Sequence, residues 1–501
     1  MSADPNGCDL LVVGGGINGA GIARDAAGRG LSVILCEQAD LGACTSSAST
    51  KLIHGGLRYL ENLHFGLVRK ALQEREVLLA AAPHITSALR FVMPHDAHLR
   101  PQWMIRAGLF LYDHLARRHR LAGSAALDLR SHPAGVPLEK RYTRGFIYSD
   151  GWVDDSRLVV LNAKDAAERG AVILTRTQCE AIEPADGRWR ARLVGLSGQR
   201  RTVEARIVVN ATGPWASRFL QERTPVAAAH AVRLVKGSHI VVPKIFAHRF
   251  AYIFQNTDRR VVFAIPYEEE FTLIGTTDVE HGGNPDEVRI DADEIAYLCA
   301  TVNRYFVRKI APDDVVWSYS GVRPLLDDES ADPSSVTRDY ALELSSKPAP
   351  LLSVFGGKLT TYRKLAQDAV DRLAPLLGRR LPRWTASALL PGGDLPSGSF
   401  AVFLRTVERK FPWLPAGLRR RYARNYGTRI DRLLDGAASL ADMGQEILPG
   451  LYEREVHYLQ QEEWAHTAQD ILWRRTKLGL HLPADASVRL DEWLHRHPCR
   501  S

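Results

Sequence analysis

Cysteine is scarce and scattered in this 501-residue chain: Cys8, Cys36, Cys44, Cys179, Cys299 and Cys499, with no CxxC pair among them. That spacing fits neither a zinc site nor a disulfide framework, and it suggests a reducing compartment. No haem or iron–sulfur ligand spacing occurs, so no metal is expected. No apolar run is long enough to cross a bilayer, and the N-terminus lacks the basic start and apolar stretch of a secretory signal. The chain is therefore expected to be soluble or to sit on a membrane surface without spanning it. Internal repeats and low-complexity tracts are also lacking.

What is present is ordinary globular material, 45% hydrophobic and 24% charged, in a length that calls for two or three domains. The formal charge of +8 favours acidic partners such as nucleic acid, anionic lipid or phosphorylated small molecules. No helix-turn-helix or aromatic-interleaved basic stripe supports nucleic acid, which is not expected as a partner.

The chain opens with a βαβ pattern. Asp9–Val13 is an apolar strand, Gly14-x-Gly16-x-x-Gly19 a glycine turn that opens a helix to Gly28, and Leu31–Cys36 a second strand ending at Glu37. The first glycine permits the turn, the second lets a pyrophosphate approach the backbone, and the third lets helix and strand pack closely. The pyrophosphate then lies on unpaired N–H groups at the positive end of the helix. Glu37 is placed to accept hydrogen bonds from a ribose, and its charge disfavours a 2′-phosphate, so NADP is not expected. Placement at the start of the chain fits FAD. Two later elements support it: the turn Ala211-Thr212-Gly213 after the strand Ile207–Val209, and Gly356-Gly357-Lys358-Leu359-Thr360-Thr361, which opens a helix. A helix N-terminus beside the pyrimidine side of a flavin stabilises negative charge on the reduced ring.

Further along, Arg141–Arg206 alternates strands and helices, and Val232–Gly275 is β-rich. Leu390–Gly398 looks like a linker, and beyond about residue 395 the chain reads as a helical domain.

The run Thr45-Ser46-Ser47-Ala-Ser49-Thr-Lys-Leu-Ile-His54-Gly55-Gly-Leu-Arg58-Tyr59 resembles the flavin-contacting segment of the FAD-dependent glycerol-3-phosphate dehydrogenases. Lys236–His239, Ile274–Asp278, Ser320–Leu325, Thr337–Tyr340 and Phe355–Arg363 look like the same family, and the resemblance covers nearly the whole chain. It is closest to the bacterial aerobic enzyme of respiratory glycerol use. It implies oxidation of sn-glycerol 3-phosphate to dihydroxyacetone phosphate on FAD, with ubiquinone or another membrane quinone as acceptor. It also implies a homodimer, held peripherally at the cytoplasmic face of the bacterial inner membrane.

The expected architecture is α/β: a Rossmann-like FAD-binding domain, a β-rich substrate domain inserted into it, and an all-α C-terminal domain. The flavin parts are placed at about 8–80, 141–225 and 320–390, the substrate parts at about 81–140 and 226–319, and the helical domain at 391–501.

A phosphate dianion needs several cations aimed at one point. Arg323, Arg338 and Lys358 lie in matching segments and are expected on substrate, with Arg58 and Tyr59 close by. A planar guanidinium holds two phosphate oxygens together, whereas lysine acts as a point charge. Oxidation also needs a base for the hydroxyl proton, and histidine, with an ordinary pKa of about 6.5, suits neutral pH. Two histidines fall in the matching segments. His239 is the preferred base; His54 is the other candidate, or orders the flavin loop.

Residues 98–120 carry large apolar side chains flanked by arginines. Such a segment either lies in a lipid interface or packs on the core with a basic outer face. Arg419, Arg420, Arg421, Arg474 and Arg475 read as lipid-facing or as solvated helix faces. Two rival activities share the flavin fold. A glycerol-3-phosphate oxidase would return electrons to oxygen, and an amine oxidase would need one arginine for a carboxylate and little further positive charge.

Overall fold

The computed structural model describes residues 7–498 apart from 61–62, 97–98, 228–231, 257, 259, 327–338 and the side chain of Arg58. Arg338 thus lies outside the described residues, as do the side chain of Arg58 and Cys499.

Among the described residues are two large sheets and a mainly helical domain that holds a third, two-stranded sheet. The first sheet runs Ala341–Ser345, Leu351–Phe355, Arg200–Asn210, Gly7–Val13, Val33–Cys36, Val172–Leu174. Its four central pairings are parallel. Parallel strands are covered on both faces, which is why Leu10-Leu11-Val12 is an unbroken apolar run with no exposed surface. Helices Ile17–Gly28, Asp155–Glu168 and Tyr362–Leu377 cover one face. The hairpin Thr177–Ala185/Arg188–Gly195 and helix Ala216–Arg223 cover the other. Helix Ile17–Gly28 is rich in glycine and alanine because its neighbours come close. A Cβ on Gly21 would sit 2.8 Å from Tyr362.

The second sheet has ten strands and gathers pieces from both sides of the first in sequence. Its pairings are antiparallel except that of Ala251–Gln255 with Thr86–Pro94. Strands Arg144–Val153 and Trp317–Leu326 belong here, although the sequence expectation put the first, and the second from about residue 320 on, with the flavin parts. Both are ten-residue strands whose partners, Thr86–Pro94 and Val232–Pro243, lie in this sheet. One face packs on helix Ala292–Tyr305; the other looks toward the first sheet.

Residues from Leu395 to Leu494 build their own core around Tyr422, Leu459 and Ile471. Leu390–Gly393, expected as a linker, is buried. Leu390 N–H donates to Ala81, and the Gly392 carbonyl accepts from Thr428. Glycines there serve close packing, since a Cβ on Gly392 would overlap the Tyr426 carbonyl.

Three of the C-terminal arginines correct a second expectation, because they are neither lipid-facing nor solvated. Arg475 (0% exposed) forks onto both oxygens of Asp40 at 2.7 and 2.8 Å, and Arg474 reaches the same carboxylate at 2.6 Å. Arg421 pairs with buried Glu455. With Arg157–Glu463 and Arg176–Asp470, the two arginines on Asp40 tie the helical domain to the first sheet and its covering helix, whereas Arg421–Glu455 lies within the helical domain. Such pairs hold because a lone charge there would be costly.

No helix among the described residues is long and apolar enough to cross a membrane. Helix Gln102–His114 buries only Leu109 and Tyr112, leaving Trp103 70% and Phe110 58% exposed, with Met104 and Leu111 beside them. Arg100, Arg106 and Arg117 are exposed around it.

Candidate active site

A cavity of about 510 Å³ opens where the carboxyl ends of the parallel strands face the second sheet. Crevices at this position are where ligands bind in open parallel sheets.

The first wall is mostly backbone. Gly14 and Gly16 line it, and Gly14 has φ +109°, the left-handed region that favours glycine. A Cβ there would sit 2.5 Å from the Ala211 carbonyl oxygen, so the two turns meet through bare backbone. Gly19 stands behind the wall, where any side chain would overlap the Gly14 carbonyl. Ile17 N–H at the start of the helix donates to Ser46 Oγ at 3.0 Å, tying the loop after the second strand to the helix N-terminus. The Glu37 carboxylate accepts from Gly15 N–H (2.7 Å) and Ala39 N–H (2.8 Å), which fixes its orientation at the cavity rim. Burial, opposed by those two N–H groups, raises its pKa.

Ala211, Thr212 and Gly213 line the cavity beside this turn, and Gly357, Lys358, Leu359 and Thr360 close its far end. Thr360 Oγ1 accepts from His54 N–H at 3.1 Å, so the two predicted flavin segments are joined. Thr45 lines the wall and donates to the Val322 carbonyl. Ser49 is also on the wall, but its hydroxyl donates to Asp155 at 2.7 Å. Ser47 and Gly55 do not line the cavity. Ser47 turns to the Cys44 carbonyl, and Gly55 N–H donates to Tyr112. Asn18, which the sequence reading missed, bridges to the Gly356 carbonyl at 3.2 Å.

This wall fits FAD. A backbone cradle that a Cβ would fill leads to a helix N-terminus, and a fixed carboxylate waits at the end of the second strand. These are the three contacts a dinucleotide requires.

The second wall is made of side chains on alternate positions of three neighbouring strands. His239 lies opposite Gly275 on one side and Tyr319 on the other. Arg323 Nη2 donates to Thr276 Oγ1 at 3.0 Å, and the guanidinium also pairs with Asp278. It crosses Gly237, whose added Cβ would be 2.5 Å from Nη2. Lys358 Nζ stands 3.7 Å from the centre of the Tyr59 ring. Thr50, also missed, places its hydroxyl 2.9 Å from His239 Nε2. Its signal was its position, inside the same run as Thr45 and His54. His239 is 1% exposed. Burial first, then Arg323 and Lys51, push its pKa well below 6.5, so the ring is neutral.

A model of FAD dependent oxidoreductases matches residues 9–363, and one for the C-terminal domain of alpha-glycerophosphate oxidase matches residues 383–492. The chain belongs to the FAD-dependent oxidoreductases, and within them to the family that holds the glycerol-3-phosphate dehydrogenases. A glycerol-3-phosphate dehydrogenase of Pseudomonas aeruginosa is 54% identical over 98% of this chain and 96% of its own. A D-erythritol 1-phosphate dehydrogenase of Brucella abortus is 50% identical over 98% of both. Among solved structures, the glycerol-3-phosphate dehydrogenase of Bacillus halodurans complexed with FAD superposes with a TM-score of 0.76. It is 28% identical and covers 99% of this chain and 95% of that one.

Proposed function

We propose that this chain oxidises sn-glycerol 3-phosphate to dihydroxyacetone phosphate and passes the electrons to a membrane quinone. The observation that carries this reading is the presence of two cations, Arg323 and Lys358, and a buried neutral histidine on the walls of one cavity.

The phosphate sits between Arg323 and Lys358, with Tyr59 beneath the lysine. Arg58 and Arg338 join them by the family resemblance. Asp278 and Thr276 hold the guanidinium in one orientation, so it meets the phosphate with little entropy to lose. This anchoring leaves the C2 hydroxyl toward His239. Because the ring is neutral, Nε2 takes the proton through the Thr50 hydroxyl hydrogen-bonded to it: Thr50 gives its proton to Nε2 and receives the one leaving the substrate hydroxyl. Bound FAD supplies the hydride acceptor for C2. Gly14, Gly16 and the helix N-terminus hold its pyrophosphate, and Glu37 its ribose. Thr45, Ser46, Ala211–Gly213 and Gly357–Thr360 lie along the rest of it. An amine oxidase would need little positive charge beyond one arginine.

Electron exit and location rest on the resemblance and on helix Gln102–His114. Exposed Trp103, Met104, Phe110 and Leu111 ringed by arginines suit an anionic lipid surface. A homodimer at the cytoplasmic face of the inner membrane completes the proposal.

The Brucella relative favours a second reading of the substrate, a four-carbon polyol phosphate. Anaerobic mixing of the yellow protein with sn-glycerol 3-phosphate or D-erythritol 1-phosphate decides between them. The expected result is rapid bleaching by the three-carbon substrate, reversed much faster by a short-chain quinone than by air. No bleaching of a fully flavin-loaded sample overturns the substrate; reversal by air as fast as by quinone overturns the acceptor.

A further inference from the structure

Strand Trp317–Leu326 carries Trp317, Tyr319, Gly321 and Arg323 on one face, as alternation along a strand requires. Arg323 and Gly321 line the cavity; the other two continue as a row of rings that leads away from it. Tyr319 stacks on His239 with centroids 4.8 Å apart and planes 15° from parallel. Trp317 meets Tyr319 at 5.1 Å, and stacks on Trp473 at 4.2 Å and 19°. Four rings therefore connect the base to the helical domain.

Both ends of this row are fixed. At the His239 end, a Cβ on Gly275 would overlap the imidazole, so the ring is clamped between Gly275 and Tyr319. The Tyr319 hydroxyl donates to the Ser49 carbonyl at 2.8 Å, and Lys51 Nζ lies 5.0 Å from the ring centre. At the other end, Trp473 sits in a single π-helical turn, Asp470–Arg475, a form common at functional sites. Its neighbours in that turn are the anchors of the domain joint: Arg474 and Arg475 on Asp40, and Asp470 on Arg176. Just beyond it, Lys477 donates to Ser156 at 2.5 Å and pairs with Asp154.

We propose that Trp473 is a positioning residue for the reaction. Through Trp317 and Tyr319 the helical domain sets the plane of the His239 ring and keeps water from it. This rests on His239 being the base. The groups that face its ring are Thr50, Lys51, Tyr319 and Arg323, from the flavin loop and the neighbouring strand. Opening the row lets water reach the imidazole. Its pKa then rises toward the ordinary value, and the acid limb of the flavin-reduction rate moves to higher pH.

The test is stopped-flow flavin reduction by sn-glycerol 3-phosphate against pH, in FAD-loaded protein. Trp473→Ala is expected to slow saturated reduction about tenfold or more, since small misplacements of a reacting group are costly. Half-saturation should stay within about twofold because Arg323 and Lys358 are untouched. Its acid limb should lie at higher pH, and Trp473→Phe should restore most of the rate. Trp413→Ala, which removes a ring packed on the same domain's core away from the row, should match the parent.

Parent rates with an unmoved acid limb in Trp473→Ala overturn the proposal, as do equal changes in Trp413→Ala. Slow reduction in His239→Ala with normal reduction in Trp473→Ala removes the proposal alone; normal reduction in His239→Ala removes the base assignment as well. If Trp473→Ala fails to hold FAD, Trp317→Leu is read by the same criteria.

Discussion

The parallel sheet meets the cavity with backbone and the antiparallel sheet meets it with side chains. At the ends of the parallel strands, glycines and helix-terminal N–H groups form a surface that any dinucleotide can lie against. Across the gap, strands Val232–Pro243 and Trp317–Leu326 present His239 and Arg323 on a face otherwise cleared by Gly237, Gly275 and Gly321. Glycine serves both walls for opposite ends. On the first it lets a ligand approach the chain; on the second it makes room for the protein's own imidazole and guanidinium. On the proposed reading, cofactor binding is a property of chain path, and substrate choice is a property of a few side chains.

Breaking the first wall is expected to have the largest effect. In Gly19→Val the side chain overlaps the Gly14 carbonyl, so the helix must leave the strand. The protein should purify colourless, with flavin content below about a tenth of the parent by absorbance. A yellow Gly19→Val protein would mean that the glycine turn is not what holds the cofactor.

The joint to the helical domain should weaken the same wall without touching substrate affinity. Arg475→Met leaves Asp40 with Arg474 alone, in the loop that runs from Glu37 to the cavity rim. Because Arg474 still compensates Asp40, the cost should fall below the roughly 3–5 kcal/mol of a lone buried charge. Denaturant unfolding should show that loss, while the half-saturating substrate concentration stays as it was.

A smaller effect comes from the base of the second sheet. His84 is fully buried, and neither ring nitrogen has a hydrogen-bond partner among the described residues. Burial, then Arg157, Arg424 and Arg429, lower its pKa to about 3. The folded pKa lies below the unfolded one, so below about pH 6.5 the unfolded chain takes up a proton that the folded chain refuses. Stability therefore falls as pH drops from 6.5 toward 3. His84 accounts for about 2 kcal/mol of that loss by pH 5. Buried His239 acts in the same direction, so His84→Leu should flatten the acid side of the stability profile without abolishing its slope.

The contrast between the walls also explains what could be read from sequence. The turn Gly14–Gly19 and its partner Glu37 are contiguous in one βαβ unit, so spacing alone reveals them. The second wall is assembled from strands tens of residues apart and from a loop much earlier in the chain. Thr50 and His239 are separated by 189 positions, and nothing local marks their contact. Resemblance supplied His239, Arg323 and Lys358, but it could not show that Trp473 reaches the same row of rings. The C-terminal arginines misled for a related reason. A helix rich in arginine looks solvated until its partners, Asp40 and Glu455, are found far away in the chain or across a bend. The Leu390–Gly393 stretch misled because its proline and two glycines, which usually mark a free linker, here permit tight packing against Tyr426.

The most direct test of this division is the saturation curve for flavin bleaching by sn-glycerol 3-phosphate in Arg323→Ala. The expected result is a protein as yellow as the parent that needs about a hundredfold more substrate to bleach, the effect of losing one charged phosphate contact. Saturation at parental concentrations, or loss of flavin, would contradict the account.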